Sequence, residues 1–210
     1  MLTQLVFLRH GQTLQPNCLL GRTDAALSED GFAQLRMSTG NLKNVAKVIS
    51  SPLQRAASFS HEFAFDNQTV CETQSCWSEC NFGDWDGMDY QLIAERYPND
   101  YSLFLTNPVK HPPPNGESVA DFYTRVLDGI KQVVEKHPEQ KLLIVTHGGA
   151  IRCAVAWCLG LDFIHQPTKA NIPFQRLQVD YASLTQINVW NENGLLPQLV
   201  SFNQSMSRRR

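Results

Sequence analysis

Three stretches of this chain, residues 5–8, 45–49 and 142–145, are short, apolar and rich in Val, Ile and Leu. They show little polar alternation, which is the pattern of strands buried on both faces of a parallel sheet. Between and after them the pattern turns helical. Ser28, followed by the acidic pair Glu29 and Asp30, marks a helix start that should run to about residue 41, with Gly40 near its end. A second helix is expected over about 54–65. Ser118 and Asp121 fit a capping box that opens a helix to about residue 136, ahead of Pro138. A fourth should follow His147 and stop at Gly160. Strands alternating with helices predict a three-layer α/β/α fold around a mainly parallel sheet. The runs 183–190 and 196–202 alternate better and flank Asn191-Glu192-Asn193-Gly194, so a hairpin or edge strands are expected there.

The stretch from about 84 to 117 breaks this rhythm. It carries Trp85, Tyr90, Tyr97, Tyr101, Phe104 and the run Pro112–Pro114. Short helices and a proline-rich loop fit that composition, which reads as a cap over a pocket. Residues 1–205 then form one domain with the cap inserted, and 206–210 a disordered tail. A chain of 210 residues can bury a full core without disulfides or metal. A net charge of −2 gives no electrostatic reason to expect nucleic acid or a membrane as partner. There is no apolar run long enough to span a bilayer, and no secretory signal is expected from the first residues. Six cysteines without a Cys-x-x-Cys pair predict reduced thiols in a cytoplasmic protein. A homodimer is left open.

The residues just past each buried strand carry the chemistry. The first strand ends in Arg9-His10-Gly11, the second in Ser50-Ser51-Pro52 and then Arg55, the third in Thr146-His147-Gly148-Gly149. Ligands of open α/β sheets bind outside the carboxyl ends of the strands. If the three strands are neighbours, two histidines and two arginines converge on one place. Arginine forks match phosphate oxygens, and glycines at a helix start offer N–H groups and the positive dipole end to the same anion. Gly11 lets the backbone approach closely. A phosphoryl group is the natural ligand. Histidine attacks phosphorus only through a nitrogen with a free lone pair, so its other nitrogen must hold the proton and be oriented, for instance by a backbone carbonyl. The leaving alkoxide then needs a proton from a carboxylic acid. Glu79, flanked by apolar and neutral side chains ahead of the presumed cap, is the best candidate, with Asp84 and Asp86 as competitors.

These motifs resemble the histidine phosphatase superfamily, the phosphoglycerate mutase-like proteins, over nearly the whole chain. The matching segments, in order, are Leu8-Arg9-His10-Gly11-Gln12-Thr13, Gly21-Arg22-Thr23-Asp24, Ser51-Pro52-Leu53-Gln54-Arg55-Ala56, Glu79 with Phe82-Gly83-Asp84-Trp85, Gly116-Glu117-Ser118 and Thr146-His147-Gly148. The resemblance implies that His10 becomes phosphohistidine. It also implies that Arg9, Arg55 and His147 bind the phosphate, and that Glu79 donates the proton and then helps water attack. Thr23 and Gly148 are implied to add phosphate contacts, and Asn17 is carried over although it lies one residue later than the usual asparagine. No metal or other cofactor is implied, and the partner is a small phosphorylated metabolite. Gln12 departs from the common glutamate, and Asp86 stands where glutamate often precedes glycine.

The acid motif Asn81-Phe82-Gly83-Asp84-Trp85-Asp86-Gly87 and the proline-rich approach to Gly116-Glu117-Ser118 look like those of the alpha-ribazole phosphatases, which act in cobalamin assembly. The alternatives are a broad-specificity sugar or small-metabolite phosphatase, a phosphoglycerate mutase, a binding protein that kept the fold without activity, and a metal hydrolase using His10 and His147. The last lacks a His-x-x-x-His or carboxylate-rich spacing. His61, His137 and His165 read as structural, as does His111 in the cap. Trp85 and the cap tyrosines read as packing.

Overall fold

Leu5 and Phe7 point to one side of the first strand and Val6 and Leu8 to the other, and all four are buried. That strand, β1 (Leu2–Arg9), is central. The computed structural model describes residues 1–168 and 173–205, so the tail at 206–210 lies outside the described residues. Its sheet runs β3-β2-β4-β1-β5-β6, with β2 (Lys47–Ser50), β3 (Val70–Thr73), β4 (Lys141–Thr146), β5 (Leu184–Asn191) and β6 (Leu195–Gln204). The first four strands in that order are parallel. β5 pairs antiparallel with β1, and β6 with β5. The fold is thus the expected three-layer α/β architecture, and the two C-terminal runs form the hairpin on its edge. β3 forms one edge of the sheet. It is four residues long, half-exposed and carries Glu72.

Helices cover both faces. α1 (Glu29–Thr39) and α2 (Gln54–Asp66) lie on the side of Val6, Leu8, Val48, Leu143 and Val145, and send Leu35, Phe59 and Phe63 into that layer. Two more helices, at Val119–Lys136 and Gly148–Cys158, lie on the side of Leu5, Phe7, Ile49 and Ile144. They are α5 and α6 in chain order. In α5, Val119, Phe122, Val126, Ile130 and Val133 recur at helical spacing and are buried. The predicted caps are present. Ser28 Oγ accepts from the Gly31 N–H, and Ser118 Oγ from the Asp121 N–H at 3.0 Å. The Asp121 carboxylate accepts a hydrogen bond from the Ser118 hydroxyl at 2.7 Å instead of closing on the backbone.

Between β3 and α5 the chain leaves the sheet. It forms α3 (Tyr90–Arg96), α4 (Pro98–Thr106) and the proline-rich loop. Trp85, fully buried, is ringed by Tyr97, Tyr101 and Phe104 at 5.5–5.9 Å between ring centres. With Leu19 and Ile93 it makes a small core of its own, which is packing as expected. A further turn, α7 (Pro173–Arg176), lies against α6.

Candidate active site

β4 lies between β2 and β1, so the three strand ends meet. Arg9 is in register with Thr146, and Ser50 with Val145. The next residues continue the ladder: His10 N–H donates to the Thr146 carbonyl (2.9 Å) and Ser51 N–H to the Val145 carbonyl (3.0 Å). The rings of His10 and His147 consequently sit 5.1 Å apart, edge to face.

His10 is 6% exposed. Its Nδ1 is 2.8 Å from the Gly11 carbonyl oxygen. A carbonyl only accepts, so Nδ1 bears the proton and Nε2 keeps its lone pair. Burial, then the charges of Arg55 and Arg9, hold the ring's pKa well below its usual value, against the opposing pull of the Gly11 hydrogen bond. The ring is a neutral imidazole with a nucleophilic nitrogen.

His147, the residue ahead of α6, is completely buried. Arg55 Nε donates to its Nδ1 (3.2 Å), so Nε2 carries the proton, which points to Ser51 Oγ (2.8 Å). Burial and the Arg55 charge depress its pKa too. Both of its nitrogens are therefore already engaged within the protein.

Arg55 sits in the first turn of α2 with no exposure at all. Besides His147, it donates to the carbonyls of Thr23 (2.7 Å), Leu20 (3.1 Å) and Gly21 (2.7 Å). A guanidinium has five N–H groups, so one Nη1–H is left for a ligand. The loop it grips is held from the other side by Asp86, whose carboxylate accepts from the N–H groups of Gly21, Arg22, Thr23 and Phe82. Burial pushes the Asp86 carboxyl up, but the hydrogen bonds from the Thr23 hydroxyl and these N–H groups outweigh it and hold the group below its usual range. Asp86 is thus a loop anchor, and Asp84 is exposed and paired with Asn115.

Arg9 Cζ lies over the Tyr181 ring, 4.0 Å from its centre, a cation–π contact. Its Nη1 donates to the Val179 carbonyl, while its buried Nε has no partner among the described residues. That Nε faces Gly148. Among the described residues the Gly148 N–H has no backbone partner, and it lies at the positive end of α6.

Glu79 approaches the same helix start. Its Oε2 accepts the Gly149 N–H and its Oε1 the Cys80 N–H, both at 2.9 Å. A side chain at Gly149 would collide with Oε1 and with the Phe122 ring. Only glycine lets this carboxyl and this helix meet.

Several expectations change. The Gly149 N–H serves Glu79 rather than an anion. Gly11 packs against the Gly31 backbone of α1, so its lack of a side chain seats a helix. Thr23 spends its N–H and hydroxyl on Asp86 and its carbonyl on Arg55, which makes it an anchor rather than a phosphate contact. Asn17 is exposed, and its carbonyl accepts from the Tyr90 N–H. Gln12 links its N–H to Gln34 and its carbonyl to Ser28, and nothing in the structure explains its side chain. His111 is exposed.

Three residues of the site escaped sequence reasoning. Tyr181 sits where β5 begins beside the end of β1. An antiparallel neighbour of β1 was the one signal that would have placed it there. Arg152, one turn into α6, uses Nε on the Leu177 carbonyl (2.8 Å) and brings its Nη1 close to Gly148. Arg125, on α5, reaches the carbonyl of Glu79 itself (2.9 Å). Glu79 also lines a cavity of about 190 Å³, walled by Leu19, Phe82, Phe104, Val119, Phe122 and Phe174, with Glu117 and Arg152 as further charged members. Among the described residues no three His, Cys, Asp or Glu side chains are grouped to hold a metal ion, and no helix is long and apolar enough to cross a membrane.

The arrangement gathers two guanidinium groups, a helix start and a free imidazole nitrogen at the carboxyl ends of a mainly parallel sheet. The family model of the histidine phosphatase superfamily (branch 1) matches residues 5–204, and the chain belongs to that superfamily. It is 28% identical over 200 residues to a Hydrogenobacter thermophilus protein provisionally named phosphoserine phosphatase 2, covering 93% of this chain and 94% of that one. A mycobacterial glucosyl-3-phosphoglycerate phosphatase superposes with a TM-score of 0.83 at 25% identity, over 98% of this chain and 100% of the other. An Escherichia coli protein provisionally described as an alpha-ribazole-5′-P phosphatase shares the fold, with a TM-score of 0.79 at 20% identity over 98% and 99% of the two chains.

Proposed function

We propose that the protein is a phosphomonoesterase working through a phosphohistidine on His10. One observation carries this: the Gly11 carbonyl fixes the proton on Nδ1, which leaves Nε2 as a nucleophile. In this reading the phosphoryl group rests against Arg9, the Gly148 N–H and the remaining Arg55 N–H. Nε2 forms a bond to phosphorus as the ester P–O bond breaks, and Glu79 passes its proton to the leaving oxygen. Each Glu79 oxygen accepts a single backbone N–H, so a lone pair remains to carry that proton. Water then attacks phosphorus and returns a proton to Glu79. The N–P bond breaks, and inorganic phosphate leaves. The surrounding cations stabilise the charge that spreads over the equatorial oxygens.

The substrate is a small phosphorylated metabolite, held with its alcohol portion in the cavity that Glu79 lines. Residues 1–205 act as one domain, with 84–117 as the cap that walls this cavity. The finer reading is alpha-ribazole 5′-phosphate. It is supported by the acid motif at 81–87 and by a leaving-group cavity whose walls are largely aromatic and aliphatic, with Glu117, Arg152 and Gln175 as polar members, which suits a flat base. A broad-specificity metabolite phosphatase is the second reading, favoured by the spread of names among the relatives.

The test is direct. A phosphorylated substrate carrying a labelled phosphate should leave acid-labile, base-stable label on the wild-type protein, and the label should chase into inorganic phosphate. The His10→Ala protein should take up none. Wild-type turnover by His10→Ala would sink the mechanism, and label returned to a second metabolite would indicate a mutase. A panel of alpha-ribazole 5′-phosphate, phosphoserine, phosphoglycerates and sugar phosphates separates the two substrate readings by kcat/KM.

A further inference from the structure

Glu79 stands on an irregular segment. The tight turn Ser75–Trp77 ends just before it, and neither Ser78 nor Glu79 belongs to a strand or helix. Partly buried backbone carbonyls in such a stretch need partners, and here one guanidinium supplies them. Arg125 donates from Nη1 to the carbonyls of Cys76 (2.9 Å) and Ser78 (2.8 Å), and from Nη2 to the carbonyl of Glu79 (2.9 Å). Its other two N–H groups go to Glu117, Nε to Oε1 at 2.6 Å and Nη2 to Oε2 at 2.9 Å. All five donors of the fork are spent. Glu117 also reaches the segment directly: Oε2 accepts the Asn81 N–H (3.1 Å), and its own N–H donates to the Asn81 carbonyl (2.8 Å). The pair is only 23% and 13% exposed, and the guanidinium rests 4.6 Å from the centre of the Phe122 ring.

This clamp and the carboxyl of Glu79 grip the same residue from opposite ends. The main chain is fixed to α5 through Arg125, and the side chain to the start of α6 through the Gly149 N–H. Nothing else joins the carbonyl of Glu79 to the rest of the protein among the described residues. Loosening the main-chain end shifts the acid relative to the phosphoryl site, while His10, Arg9 and Arg55, held by β1, β4 and α2, stay in place.

We infer that Arg125, held by Glu117, is a positioning residue for Glu79, setting the place of the proton donor and leaving the nucleophile and the phosphate cations untouched. The inference rests on the phosphatase reading above. If it holds, losing the clamp harms only the step that needs a proton. Esters with an alkoxide leaving group require that proton, whereas p-nitrophenolate leaves without it.

The experiment compares wild type, Arg125→Ala, Arg125→Lys, Glu117→Gln and Glu79→Gln in single-turnover formation of the phosphoenzyme. The substrates are p-nitrophenyl phosphate and an alkyl phosphate. The Arg125→Ala protein should phosphorylate about 10²-fold more slowly from the alkyl ester, with less than about threefold change from p-nitrophenyl phosphate. KM should stay near wild type. Glu117→Gln keeps an acceptor oxygen for the fork and should show the same split more weakly, which keeps the test alive if Arg125→Ala does not fold. Arg125→Lys should recover part of the loss. Arg125→Ala added to Glu79→Gln should cost no more than Glu79→Gln alone. Equal slowing on both esters, or an additive double variant, overturns the inference. Absence of phosphoenzyme in the wild type would overturn the phosphatase reading instead, so the two failures are told apart.

Discussion

The two sides of Glu79 are built by opposite means. On the phosphoryl side His10, Arg55 and His147 are polar and almost wholly buried, and each is tied by hydrogen bonds to a strand end or to a backbone carbonyl. On the cavity side the walls are Leu19 from the loop after β1, Phe104 from the excursion, Val119 and Phe122 from α5, and Phe174 from α7. Directional bonds hold a small anion of fixed shape, and they tolerate no slack because every buried polar group needs its partner. Apolar walls hold by area, and they accept substitutions of similar volume. In the phosphatase reading, chemistry thus belongs to the sheet and selectivity to the cap, with Glu79 at the seam between them.

The largest effect that can break this contrast lies at Arg55. Arg55→Ala strands the carbonyls of Thr23, Leu20 and Gly21 and leaves His147 Nδ1 without its donor. Denaturant unfolding should show a loss of about 3 kcal/mol, and phosphate release a fall of about 10³-fold. Arg55→Lys should recover little, because an ammonium cannot serve three carbonyls and a ring nitrogen in one plane. A lysine variant equal to wild type in both assays would show that the polar side is as tolerant as the apolar one.

A second effect comes from protonation. His10 and His147 are held well below the usual 6.5 by burial and by the neighbouring arginine charges. Above 6.5 both rings are neutral whether the chain is folded or not, and they add no pH dependence. As the pH falls below 6.5 the unfolded chain takes up protons that the folded one refuses, so stability declines toward the lower folded values. Urea unfolding at steps from about pH 7.5 to 5 should show this slope, and His10→Gln should reduce it. For the same reason activity should persist below pH 6.5, since Nε2 keeps its lone pair there. An unchanged slope in His10→Gln would mean that the ring is not held neutral by its surroundings.

On the apolar side the effects should be milder and confined to selectivity. Phe104→Ala removes part of the cavity wall and should raise KM about tenfold for esters with an aromatic alcohol portion, while leaving acetyl phosphate hydrolysis nearly unchanged. Equal loss on both substrates would place Phe104 in the phosphoryl machinery. The smallest effect belongs to Asn17, exposed on its loop. Asn17→Ala should change kcat/KM by less than about twofold, and a large loss would mean that its side chain swings onto the phosphate.

Much of the candidate site is legible in the sequence, and the reason lies in where the residues fall. His10 and His147 come just after short apolar runs and Arg55 in the first turn of the helix that follows a third, and a parallel sheet brings its strand ends to one edge. Their motifs therefore mark chemistry and position together. Tyr181, Arg152 and Arg125 obey no such rule. Each sits in a loop or on a helix whose sequence neighbourhood is ordinary, and each enters the site through a contact at long range. The motifs around Thr23 and Gly149 draw attention to both residues, but they do not reveal the partner each serves. Spacing shows that an N–H is near, and cannot show whether Asp86 or Glu79 has taken it.

The sequence by itself determined the alternation of strands and helices, the two serine caps, the break in pattern over about 84–117, and the candidate nucleophile. These come from local rules: burial on both faces of a strand, the unpaired N–H groups of a helix start, and the residue types that can attack phosphorus. Only the tertiary structure decided which nitrogen of His10 is free, that His147 is already satisfied by Ser51 and Arg55, and that Arg125 and Glu117 carry the backbone of Glu79. Those outcomes depend on which donors meet which acceptors across the fold. Such pairings are set when the layers pack, because each buried polar group must then find a partner among whatever the packing has brought within reach.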